Sequence, residues 1–213
     1  MAISKNKLLQ KMSGRIENLI VYQCHGETYV RTMPDRENIK LTPEMKEQQE
    51  RWAGVAAFYQ AVKAAGLYWV WKKEAEGTGL SGYNLFMKWN QMMFGKEGNV
   101  ADMGKLTVTV GRVGLPDGMR VAECDGETAV VEWRNEERYP DAEEEDCLAV
   151  VLVRQEKEEG WSVKVPDIGE WRRKGCRAII RLPPEWVGIE QMYCFFQSES
   201  GEVSRSRYFY LNH

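Results

Sequence analysis

The chain changes character near Met103–Gly104. Upstream, apolar residues recur at helical spacing among many Met and Trp residues. Downstream, short alternating runs are broken by Gly, Pro and acidic turns. Helical segments collected before one point and strands collected after it exclude an alternating βαβ plan and predict an α+β chain. The expected division is an N-terminal hairpin-plus-helices domain over 1–104 and an all-β domain over 105–213. Hydrophobic residues make up 43% of the chain, enough to place both halves in the globular class.

In the first half, 19–31 (LIVYQCHGETYVR) predicts a β-hairpin with His25-Gly26 at its turn. Asp35–Leu41 reads as a polar connector. Thr42, Pro43 and Glu44 start a helix by capping, fixed φ and dipole complementarity. Trp52, Val55, Phe58, Tyr59 and Val62 form its stripe, and Gly66 closes it. A second helix is expected over 67–76 and a third over about 82–94. Ser81 caps the third, with Leu85, Phe86, Trp89, Met92 and Met93 on its buried face. Trp52, Trp69, Trp71 and Trp89 are expected in the helical core. The second half predicts strands at 106–110, 128–133, 148–154, 161–165, 177–182, 191–197 and 206–211. Seven short strands at near-regular spacing indicate an antiparallel sandwich, with Trp133 in its core.

Two stretches of that half are similar to fibronectin type III and related immunoglobulin-like sandwiches. Ala129-Val130-Val131-Glu132-Trp133 resembles the second strand with its core Trp. Met192–Ser204 (MYCFFQSESGEVS) resembles the last hairpin. The acidic Asp141–Asp146 insert is longer than that family's usual loop. The first half resembles a bacterial domain-of-unknown-function family that opens with an S-G-x-x-G-N hairpin and a Y-x-R-x-x-P segment. Ser13-Gly14, Asn18, Tyr29, Arg31 and Pro34 carry the likeness, followed by Thr42-Pro43, Gln48-Gln49 and Ser81-Gly82-Tyr83-Asn84. Glu17 stands where that family usually has Gly. The resemblance implies architecture and no activity; its members look like envelope, virion or accessory proteins.

The formal charge of −3 is unevenly divided, about +3 over 1–104 and −6 beyond. A +3 half falls short of the clustered basic face that nucleic acid usually requires. The N-terminus has no apolar stretch of signal-peptide length, and no run approaches the ~18 residues of a membrane span. The expected location is the cytoplasm or a particle assembled there. Cys24, Cys124, Cys147, Cys176 and Cys194 contain no C-x-x-C pair and read as reduced thiols. His25 and His213, in a turn and at the end of the chain, are poor places for catalysis or metal ligation. Asp141–Asp146 lacks calcium-loop spacing and reads as a solvated loop. Gly111–Gly118 lacks a phosphate-loop ending and reads as a turn. Ser81–Met87 has an apolar-wedge pattern like that of HMG-box DNA benders but reads as a capped helix start. Glu123, Asp125 and Glu132 do not pair convincingly as an acid and base. No catalytic residue, metal ligand or cofactor is therefore expected.

The surfaces that remain define the expected function. Lys5, Lys7, Lys11, Arg15, Arg31, Arg36 and Lys40 make the start of the chain basic, offset by Glu17, Glu27, Asp35 and Glu37. With Arg15 and Arg31 on one face beside Tyr22 and Tyr29, a phosphate-and-stacking surface would form. Trp161, Trp171 and Trp186 lie near turns, where they either stack on glycans or plug the sandwich ends. The leading expectation is a non-enzymatic structural or protein-interaction protein. It would self-associate or bind a protein partner through the hairpin. Nucleic-acid binding by the N-terminal half and glycan binding by the loop tryptophans are the alternatives.

Overall fold

A computed structural model describes residues 2–4, 12–24, 26–34, 41–135, 139, 141–156 and 160–211. His25, His213, Lys5, Lys7, Lys11, Arg36, Lys40 and the connector over 35–40 lie outside the described residues. The chain divides into two units, Met1–Pro43 and Glu44–His213. Residues 104–105 fall inside the second unit, where the helices share a core with strands.

The first unit is an antiparallel sheet of β1 (Ala2–Ser4), β2 (Gly14–Ile16), β3 (Leu19–Cys24) and β4 (Glu27–Thr32), in the order β1-β4-β3-β2. The expected hairpin is its centre, and short strands flank it on both sides. Gly26 supplies the positive φ of the β3–β4 turn. At the β2–β3 turn Glu17 itself takes the left-handed conformation (φ 52°). That conformation is costly for a residue with a Cβ. The Arg15 Nε donates to the Glu17 carbonyl at 2.7 Å and holds the turn.

The second unit has three layers. Helices α1 (Pro43–Ala64), α2 (Tyr68–Glu74) and α3 (Gly82–Asn90) form the first. The Ser81 side chain accepts from Asn84 N at 3.1 Å, the cap the sequence predicts. The middle layer is a sheet of β7 (Cys147–Glu156), β8 (Gly160–Lys164), β10 (Gln191–Gln197) and β11 (Arg207–Tyr210), ordered β11-β10-β7-β8. The outer layer is a sheet of β5 (Asp117–Cys124), β6 (Thr128–Arg134) and β9 (Arg177–Arg181), ordered β5-β6-β9.

Alternation along β7 and β10 explains this stacking. Leu148, Val150, Leu152, Met192, Cys194 and Phe196 face the outer sheet and meet Ala129, Val131, Trp133 and Ile180. The intervening Val151, Val153, Tyr193 and Phe195 face the helices and meet Val55, Phe58, Val62, Trp71 and Phe86. A strand covered on both faces is apolar at successive positions, which is why these two segments are nearly continuous hydrophobic runs.

Two strand expectations are corrected. Leu106–Val110 is buried but is not a strand. Its backbone is met largely by side chains: Thr107 N donates to Asn90 Oδ1 at 2.8 Å, Val108 N to Ser206 Oγ at 3.0 Å, and Trp71 Nε1 to the Val108 carbonyl at 2.9 Å, while Ser206 N donates to the Thr109 carbonyl at 3.1 Å. A segment with its polar groups met this way has no need of a ladder. The strand that pairs with β6 is instead β5, which begins inside the Gly-rich stretch over 111–118 that the sequence marks as a turn.

Trp52 and Trp89 are corrected as well. Core contact along α1 begins at Val55, so Trp52, nearly a turn earlier, is 51% exposed. Trp89 is exposed with the Arg205 guanidinium 5.3 Å over its ring. Trp52→Ala should therefore shift stability by less than about 0.5 kcal/mol, the ordinary cost of a surface change; a urea melt measures it, and a loss above about 1.5 kcal/mol would place that ring in a core.

The acidic loop is not simply solvated. Glu145 pairs with Arg172 and Lys174, and Asp146 lies buried 3.3 Å from the Arg173 guanidinium. The basic run Arg172-Arg173-Lys174 meets the acidic one across the start of β7. Hydrogen bonding from Lys174, then from Arg172, holds the Glu145 carboxyl below the usual glutamate range. A depressed folded-state pKa contributes stability at pH above the unfolded value and loses it as pH falls through the folded one. The melting temperature should thus decline from neutral pH into the acid range, and decline less steeply in Lys174→Met; identical slopes would remove this contribution.

Candidate interaction surface

Register in the N-terminal sheet decides which of the predicted surface residues meet. Tyr22 pairs with Tyr29, Ile20 with Arg31, Arg15 with Ile20, and Cys24 with Glu27. Directly paired residues share a face, as do residues two apart along a strand. Arg15, Ile20, Tyr22, Cys24, Glu27, Tyr29 and Arg31 therefore stand on one side. Val21 and Thr28 are buried on the other. The four interaction residues named from the sequence in this unit, Arg15, Tyr22, Tyr29 and Arg31, are thus together.

The face is ordered in three rows. Arg15, Ile20 and Arg31 form a basic row. Tyr22 and Tyr29 form the middle one, with ring centroids 5.5 Å apart and planes 17° from parallel. Cys24 and Glu27 form the third. The Arg31 guanidinium lies 5.8 Å from the Tyr22 ring centroid, extending the stack. Tyr29 Oη donates to Glu27 Oε2 at 3.0 Å, and this bond to the carboxylate raises the phenol above its usual range. Arg15, Arg31, Glu27 and Cys24 are exposed; Ile20, Tyr22 and Tyr29 are half-buried. Glu27 lies two residues before Tyr29 on β4, so strand alternation alone puts both on this face.

The three tryptophans proposed as a glycan platform all make packing contacts. Trp161 lies in β8 with Phe58 at 4.7 Å and Phe94 at 5.9 Å, and its remaining edge lines an open cleft of about 810 Å³. Trp171 packs against the sandwich core and donates Nε1–H to the Ile168 carbonyl at 2.8 Å. Trp186 is buried in the same core beneath the Arg154 guanidinium. Trp161 and Trp171 are half-buried and Trp186 is buried, so packing takes up part of each of the first two rings and nearly all of the third.

Of the carboxylates considered for acid–base work, Asp125 and Glu132 have structural partners. Asp125 accepts from the backbone of Thr128 at 2.6 Å and Glu127 at 3.0 Å, holding the β5–β6 turn; these bonds, Thr128 first, lower its pKa. Glu132 pairs with Arg120 at 3.0 Å and approaches Arg177 at 4.0 Å. Glu123 stands on β5 opposite Val130. Among the described residues, no group of three or more His, Cys, Asp or Glu side chains is placed to hold a metal ion. No helix is long and apolar enough to cross a membrane among them.

The five cysteines are free thiols in contrasting surroundings. Cys24 is exposed on the Tyr-bearing face, whereas Cys194 is buried in β10 and burial pushes its thiol pKa up. Thiolate is the reactive form. Alkylation of the folded protein should label Cys24 first and Cys194 only on unfolding; peptide mapping that found Cys194 modified alongside Cys24 would contradict the packing of β10.

No protein-family model matches this chain, and neither a curated protein nor a solved structure matches it.

Proposed function

We propose that this is a non-enzymatic interaction protein that binds another protein chain through the Arg31–Tyr22–Tyr29–Glu27 face of its N-terminal sheet. The observation that carries this reading is the pre-stacked tyrosine pair between a basic and an acidic row. Tyr and Arg are, with Trp, the residues that most often dominate protein interfaces: Tyr adds large contact area with little loss of side-chain freedom, and Arg adds a planar fork of hydrogen-bond donors that also stacks on rings. Single-stranded nucleic acid instead needs ring faces open to its bases and a uniformly basic groove. Here the faces that Tyr22 and Tyr29 turn to each other are taken, and Glu27 places a negative charge beside their row. The sheet edges are less suited than the face: β1 and β2 are three residues each, the short form that limits strand addition. On the sequence likeness alone we take the C-terminal sandwich as fibronectin-III-like, a fold that serves many binding roles and defines none.

A photo-crosslinking amino acid at Ile20, on this face, tests the reading, with the same group at Ile179 on the outer face of β9 as control. Irradiation in extract of the source cells should give protein adducts at Ile20 and not at Ile179. Nucleic-acid adducts at Ile20 would favour the nucleic-acid alternative, and no adduct there would remove the proposal.

A further inference from the structure

Resting on that reading of the face as an interaction surface, we infer that its partner is a second copy of this chain, seated face to face about a two-fold axis parallel to the Tyr22–Tyr29 row. Charge order along β4 carries the inference. Glu27 and Arg31 lie four residues apart, about 13 Å at ordinary strand rise, on the same side of the sheet with Tyr29 midway between them. Rotation about an axis along the tyrosine row reverses each strand onto its own copy. Tyr29 then meets Tyr29 of the second copy, and Tyr22 meets Tyr22. Glu27 comes opposite Arg31 of the second copy, and symmetry repeats that ion pair at the other end. Cys24 comes opposite Ile20 of the second copy.

Other orientations lose this match. An axis along the strands leaves the row order unreversed and sets Arg31 against the basic row of the second copy. Like charges so placed are costly, which is how charge order selects one orientation. Arg15 stays outside the Glu27–Arg31 pairs, because it stands on β2, which the rotation sets against β2 of the second copy.

The size of the face sets the strength. Two strands of six residues and two of three, at ordinary spacing and rise, give a face of about 300 Å² per copy. Two such faces bury about 600 Å², less than the roughly 1,200–2,000 Å² of stable complexes. The dimer is therefore reversible, with a dissociation constant in the micromolar range or above.

Sedimentation equilibrium of the purified full chain across concentrations tests this, using wild type, Glu27→Lys, Arg31→Glu and the double variant. Wild type should dimerise reversibly. Each single variant places like charges opposite each other at both ends and should weaken association at least about tenfold. The double variant restores opposite charges and should return to within about threefold of wild type, a recovery that loss of folding cannot produce. A wild type monomeric at all concentrations, single variants that dimerise as wild type does, or a double variant that stays monomeric would each overturn the inference. Protein adducts at Ile20 together with a monomeric wild type would assign the face to a different protein, sinking the second-copy inference while the interaction reading stands. Absence of adducts to any chain, including a second copy, would sink the reading itself.

Discussion

Asp146→Ala should lower the unfolding free energy by about 3–5 kcal/mol, the cost of leaving one member of a buried ion pair without its partner. Asp146 is 1% and Arg173 4% exposed. The carboxylate lies 3.3 Å from Arg173 Nε and accepts from Glu143 N at 3.0 Å. Arg173 also donates Nη2–H to the Gly114 carbonyl at 2.6 Å and lies 4.4 Å over the Phe196 ring. Burial pulls the guanidinium below its ordinary pKa while Asp146 pulls it back, so the carboxylate is what offsets its desolvation. Replacing both partners, Asp146→Leu with Arg173→Met, removes the stranded charge and should recover most of the loss. Guanidinium denaturation of the three proteins measures this. A loss under about 1 kcal/mol in Asp146→Ala would mean that water reaches Arg173 and that the docked acidic loop contributes little.

Trp71→Ala should cost about 4 kcal/mol or more, because a fully buried Trp leaves a cavity that the surround fills only in part. The ring is 0% exposed, meets Phe86 edge-on at 4.8 Å and donates to the Val108 carbonyl. Trp71→Phe keeps much of the apolar contact and strands the carbonyl, for an expected loss of about 1–3 kcal/mol. The two variants separate packing from hydrogen bonding. Hydrogen exchange adds a second reading. Trp71 belongs to the cluster that contains Tyr193 and Phe195, so protection should fall in β10 as well as in α2. Protection lost only in the helices would mean that helices and sheet unfold as separate units.

These effects show where local pattern sufficed. Pro43, Ser81 and Gly66 mark helix ends through fixed φ, capping and positive φ, and these act within a few residues. The runs at 148–154 and 191–197 mark strands because residues with branched or aromatic side chains fit a pleated surface. The same runs carried a further signal. Apolar residues at successive positions mean cover on both faces, without naming what covers each. The segment 106–110 alternates like a strand, yet its hydrogen bonds go to Asn90, Ser206 and Trp71. Those partners lie far away in the chain, so periodicity does not reveal them.

The candidate surface was half legible. Alternation within each arm of the hairpin puts Tyr22 level with Ile20 and Tyr29 level with Arg31. It does not say which residue of one arm faces which of the other, and slippage by one residue would separate them. Residue type, spacing and capping chemistry by themselves determined an α+β chain with helices first, strands after, and a tyrosine-bearing hairpin at its start. Tertiary structure alone decided that the helices are what covers the middle sheet, that Asp146 meets Arg173, that Trp161, Trp171 and Trp186 make core contacts, and that Tyr22 pairs with Tyr29. Helix and strand preferences are settled among near neighbours, whereas pairing of charges, burial of rings and cross-strand register depend on what the folded chain brings together from a distance.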